Sequence, residues 1–126
     1  MAMTQRQVLE LWRKALTAYV RSDESDMTAR QQAVLMTVAL TPGPHTVRGL
    51  SVQLNIAKPA VTRALDVLEK NRLIKRTPDQ SDLRSVHIER TVEGTAWLRN
   101  FGSLILAAEA GEIAGTDTDD QGRAVA

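Results

Sequence analysis

Two helix signatures almost abut in the middle of this chain, and the second opens on a proline. Val47, Leu50 and Leu54 form one apolar stripe at helical spacing. Thr46 stands just before it, where a hydroxyl accepts from a free backbone N–H. Asn55 suits the left-handed conformation that stops a helix, which lets Ile56 tuck under the turn. Pro59 fits the first turn of the next helix, where a missing N–H costs nothing. Val61, Ala64, Leu65 and Leu68 give that helix an inner stripe, while Lys58, Thr62, Arg63 and Asp66 lie opposite. Asn71 follows Lys70, where the residue just past a helix end is expected. Two helices joined this closely must cross, with the polar face of the second turned outward.

A hairpin is expected next. Residues 73–77 and 84–90 are each strand length, and Val86 and Ile88 alternate with polar neighbours, as in a half-buried strand. Between them, Pro78-Asp79-Gln80-Ser81-Asp82 is turn-rich and long enough to protrude. Arg84 then sits near the base of the tip, with Asp82 close enough to orient its guanidinium. The order is helix-turn-helix followed by a β-hairpin wing. Its exposed side chains, Lys58, Thr62, Arg63 and Arg84, are of the kinds that read a DNA groove or hold a phosphate.

The flanks read as helices. Residues 4–21 are amphipathic, with Val8, Trp12, Leu16, Tyr19 and Val20 on one broad stripe, and residues 22–26 are a polar, acidic break. Thr28 is a candidate N-cap for a helix over 29–40, with Ala33, Val34, Leu35 and Val38 inward. Thr41-Pro42-Gly43-Pro44 ends it, because a residue before proline is driven out of the helical region. Thr91 can cap a last helix over 92–110. Residues 111–126 lose apolar content and read as a disordered acidic tail. The expected fold is therefore mostly α with a small β-hairpin: a winged helix-turn-helix flanked by N- and C-terminal dimerisation helices. Residues 1–110 form one domain, with the reading unit at about 45–91.

All four aromatic residues, Trp12, Tyr19, Trp97 and Phe101, lie in the terminal helices. They pack together within one subunit, build a homodimer interface, where large rings are favoured, or do both at once. The last helix carries apolar residues on more than one side, among them Leu104 and Ile105, more than one neighbouring helix would cover. That favours a shared interface made by Trp12, Tyr19, Trp97, Phe101, Leu104 and Ile105.

Composition narrows the class. The 126 residues carry a net charge of +1, unevenly distributed. Residues 58–90 hold eight Lys/Arg against five Asp/Glu, whereas residues 91–126 hold two against six. The basic excess falls on the proposed reading unit, the electrostatic footprint DNA binding needs. There is no cysteine, no apolar run long enough to span a bilayer and no secretory h-region at the N-terminus. A cytoplasmic protein without cofactor or membrane contact is expected. An enzyme is disfavoured: His45 and His87 stand on separated segments, and neither a phosphate loop nor a nucleophile elbow is present. The competing class is a winged helix that has lost DNA binding and docks proteins; it should expose apolar or acidic groups where Lys58, Thr62, Arg63 and Arg84 stand.

The run Lys58-Pro59-Ala60-Val61-Thr62-Arg63-Ala64-Leu65-Asp66, with Leu68-Glu69, Leu73-Ile74, Asp82-Leu83-Arg84-Ser85 and Thr91-x-x-Gly94, resembles the MarR (multiple antibiotic resistance regulator) family. The resemblance covers residues 28–101. It implies a dimeric winged-helix transcriptional regulator, usually a repressor, acting on double-stranded DNA at an inverted-repeat operator. The recognition helix would enter the major groove and the wing arginine the minor groove. It also implies Lys58, Ala60, Thr62 and Arg63 as groove or backbone contacts, Arg84 with Ser85 on the wing, Asp82 as the orienting partner, and room for a small-molecule effector. The chain departs from the family at Ala57, where a capping Ser or Thr is common, at Ser51 in place of a usual Ala, and at Arg90 in place of an apolar residue. One C-terminal helix also stands where two usually build the dimer.

Overall fold

The computed structural model describes residues 2–111. Its elements are α1 (Gln5–Arg21), α2 (Ala29–Leu40), α3 (Val47–Leu54), α4 (Lys58–Lys70), β1 (Ile74–Pro78), β2 (Val86–Arg90) and α5 (Val92–Glu109). They fall into two compact units, Met27–Leu98 and the two terminal segments flanking it. Within the first unit, α2 packs on α3, α4 and β2. The tail expected from residue 111 lies, from 112 onward, outside the described residues.

Capping fixes where the helices start. Thr28 and Gln31 form a reciprocal box, each side chain accepting from the other's backbone N–H, at 3.1 and 3.0 Å. The Thr46 hydroxyl accepts from the Gly49 N–H at 3.0 Å. Ala57 gives α4 no side-chain cap, and Pro59 stands in its first turn. The ends of α3 and α4 follow one pattern. Asn55 adopts φ 52°, and the N–H groups of Asn55 and Ile56 return to the carbonyls of Val52 and Ser51. The Ser51 hydroxyl donates to the Ile56 carbonyl at 2.6 Å, so the serine that departs from the family pattern ties down the turn.

At the end of α4 the same motif falls one residue later than the sequence suggests. Asn71 is ordinary, at φ −85°, and the left-handed residue is Arg72, at φ 63°. The N–H groups of Arg72 and Leu73 donate to the carbonyls of Glu69 and Leu68, both at 2.9 Å. Buried Leu73 then lies over buried Leu68, the apolar contact this helix end favours. The packing of Leu73 sets the register here, overriding asparagine's intrinsic preference.

Leu35, Leu50, Leu65, Leu68, Ile74, Ile88, Val34 and Val61 form the fully buried core of this unit. β1 and β2 pair antiparallel, with Ile74 opposite Arg90 and Arg76 opposite Ile88. His45 adds a single bridge to Ile88, whose N–H donates to the His45 carbonyl at 2.9 Å. A one-residue bridge has no period, so no pattern in the chain announces it. Arg90 donates to the Ala39 carbonyl at 3.2 Å, a cation at the carbonyl end of α2.

The Thr-x-x-Gly signature is explained at the start of α5. The Thr91 hydroxyl accepts from the Gly94 N–H at 2.9 Å and donates to the Arg72 carbonyl. A Cβ on Gly94 would lie 2.1 Å from the Leu73 carbonyl oxygen. Only glycine lets α5 start this close to the strand.

In the terminal unit, Thr4 and Gln7 form a second capping box. The ring of Phe101 meets Trp12 edge-on at 5.7 Å and Tyr19 edge-on at 5.6 Å. The Tyr19 hydroxyl donates to the Ser25 carbonyl. Tyr19, Trp97 and Phe101 keep 4%, 5% and 2% of their surface exposed. Little of these three ring surfaces remains open within one chain. Trp12 is 42% exposed, and Leu104 and Ile105 are half-buried. Among the apolar groups left open on α1, Leu9, Trp12 and Val20 line a groove with Leu16. No helix among the described residues is long and apolar enough to cross a membrane.

Candidate nucleic-acid interface

α4 presents its polar side as its inner stripe dictates. Val61, Ala64, Leu65 and Leu68 are buried, while Lys58, Thr62 and Arg63 are exposed. Ala60, at 6% exposure, lies on the packed side. It sits two residues after Lys58 and so turns to the opposite side of the helix.

The wing tip is a built turn. Asp82 Oδ1 accepts from the Arg84 backbone N–H at 3.1 Å and from Arg84 Nε at 3.3 Å. The Ser85 N–H donates to the Asp82 carbonyl at 2.9 Å. The same carboxylate thus fixes the backbone and leans on the guanidinium, while the Arg84 side chain stays 92% exposed. Ser85 is half-buried.

Two groups in the wing were not singled out from the sequence. Asp79 holds the turn from its other side: its N–H donates to the Ser85 carbonyl, and its Oδ1 accepts from the Ser81 N–H and hydroxyl at 2.9 and 2.8 Å. The Ser81 N–H, then its hydroxyl, hold the Asp79 carboxyl below the usual carboxylate range. His87 Nε2 lies 3.5 Å from Asp79 Oδ2. The second group is Arg76, whose Nη2 donates to Asp66 Oδ1 at 2.8 Å and to Glu69 Oε1 at 2.7 Å. The Arg76 hydrogen bond holds the Glu69 carboxyl below its ordinary range, and Glu69, then Asp66, push the guanidinium up. The strand period gave a signal for Arg76: two residues past Ile74, it shares that residue's inward face.

His45 and His87 come from separated segments, before α3 and in β2. Both line a cavity of about 250 Å³ with Val38, Pro44 and Ile88. His45 is 8% exposed, and its Nε2 stands 3.0 Å from the Thr41 carbonyl, the position of a structural histidine.

Comparison with known proteins places this geometry. Residues 25–85 match the model of the MarR family. No curated protein matches the sequence. Among solved structures, a variant of S. aureus MepR bound to an oligodeoxyribonucleotide is 22% identical, with a TM-score of 0.70 over 95% of this chain and 88% of that one. Streptococcus pneumoniae FabT in complex with DNA is 20% identical, with a TM-score of 0.67 over 90% of this chain and 76% of that one. A MepR variant from a multidrug resistant S. aureus clinical isolate is 25% identical, with a TM-score of 0.68 over 87% and 81%. The match runs through the helix-turn-helix and the wing tip, and the fold around it is the one these proteins share. Over residues 25–85 the chain is similar to the MarR family, and its fold is the winged helix these proteins share.

Proposed function

We propose that this chain is a DNA-binding transcriptional regulator, acting as a repressor by occupying a double-stranded operator. The carrying observation is the exposed cationic set: Lys58 and Arg63 on the open side of α4, and Arg84 at 92% exposure on a turn built to present it. An α-helix fits the major groove, where an arginine can bond two acceptors of one guanine. Arg63 is the candidate base reader, with Lys58 and Thr62 as base or backbone contacts. The wing carries a single extended cation, suited to the negative potential of a narrow minor groove. Support also comes from the two relatives whose structures contain nucleic acid.

The active form in this reading is a homodimer on an inverted repeat. The apolar groove of Leu9, Trp12, Leu16 and Val20 is the surface on α1 that a second copy would cover. A two-fold dimer places its reading helices about one DNA turn apart, roughly 10 base pairs between half-sites. Recovery of DNA bound by the protein across its genome tests the reading: an inverted repeat at promoters supports it, and fragments without a shared motif contradict it.

A further inference from the structure

Asp66 and Glu69 are out of place on the proposed reading surface. With Lys58 and Thr62 they recur at spacings of four, four and three, so all four share one side of α4. Their side chains are 59% and 43% exposed. Two carboxylates there would repel the phosphates that Lys58 and Arg63 attract.

Both carboxylates are already engaged. A single nitrogen of Arg76 donates to each, at 2.8 and 2.7 Å, and the arginine comes from β1 of the wing, with its side chain only 26% exposed. An ion pair as open as this contributes little to folding. Its consequence is greatest for a polyanion approaching α4. We propose that Arg76 is a positioning residue for DNA binding: by bridging Asp66 and Glu69 it offsets one of their two negative charges and holds both carboxylates on the groove side of the reading helix. The inference rests on the DNA-binding reading.

The test uses the full chain and a duplex recovered with the wild type, with binding followed by fluorescence anisotropy across salt. Arg76→Met keeps the aliphatic stem and removes the charge; Arg76→Ala removes both. Each should weaken binding by about tenfold or more and flatten the salt slope by about 0.9 for each phosphate no longer neutralised. The melting temperature should fall by only a few degrees, as for other exposed pairs. Removing the carboxylates should restore what removing the arginine lost: Arg76→Met with Asp66→Asn and Glu69→Gln should return to within about threefold of wild type, since coupled residues are non-additive. A triple variant as weak as Arg76→Met overturns the inference, because Arg76 would then touch phosphate itself. Loss of folding in both single variants also overturns it, since the arginine would then be structural. A wild type that binds no duplex defeats the DNA reading and this inference together, which separates the two failures.

Discussion

Gly94→Ala should destabilise the protein although it places a better helix former in a helix. Alanine is favoured over glycine by about 1 kcal/mol in a helix interior. Against this, the added Cβ would stand 2.1 Å from the Leu73 carbonyl oxygen, where ordinary contact begins near 3.4 Å. The shortfall of about 1.3 Å is against backbone, so no side-chain rotation relieves it. Forced overpacking costs about 1–3 kcal/mol, occasionally more, and a clash of this depth belongs at the upper end. Displacing Leu73 also strains the hydrogen bond its carbonyl accepts from the Thr91 N–H at 3.3 Å, worth roughly 1 kcal/mol. The net loss is about 2–3 kcal/mol, which lowers the melting temperature of a chain this size by roughly 6–12 °C. Gly102→Ala is the matched control, because nothing lies within 4 Å of the Cβ it would add to the same helix. It should gain about 0.5–1 kcal/mol and melt a few degrees higher. Thermal unfolding followed by circular dichroism measures both. If Gly94→Ala melts at or above the wild type, the close approach of α5 to the strand is wrong.

Arg63→Ala should weaken specific binding by about 1–3 kcal/mol while leaving non-specific binding nearly intact; equal losses on every sequence would make Arg63 a phosphate contact. Arg84→Ala should cost DNA affinity without lowering the melting temperature, since the side chain is 92% exposed. Asp82→Ala should cost less, and the double variant should fall short of the sum of the two; strict additivity in a double-mutant cycle would dismiss the Asp82–Arg84 pair. Leu9→Glu with Val20→Glu should lower the dimer fraction in sedimentation while leaving the fold intact, because both residues are about two-thirds exposed within one chain. Phe101→Ala should instead cost about 3–5 kcal/mol of folding stability, and an unchanged melting temperature would contradict its place in the core.

Elements with a local cause were legible in the chain. Thr28, Thr46 and Thr91 cap where the sequence suggests, because an N-cap needs only a hydroxyl and the N–H groups just beyond it. The inner stripe of α4 was equally readable, since period alone defines it. The helix end at Arg72 was missed because the position of Leu73 in the core decides it, a long-range packing term invisible in neighbouring residues. Composition alone cannot say which rings face one another; Phe101 sits between Trp12 and Tyr19. Arg76 was overlooked because its partners stand ten and seven residues back on another element.

The salt dependence of binding to duplex DNA is the most direct measurement of the central claim. A helix and wing that neutralise several phosphates through Lys58, Arg63 and Arg84 release condensed counterions. The slope of log K against log salt should then be about −0.9 per phosphate contacted, summing to several units for a dimer. Affinity for the recovered operator should also exceed that for unrelated duplex by about a thousandfold or more at fixed salt. An affinity flat in salt, or equal for operator and unrelated sequence, would contradict the account and leave a winged helix that docks proteins.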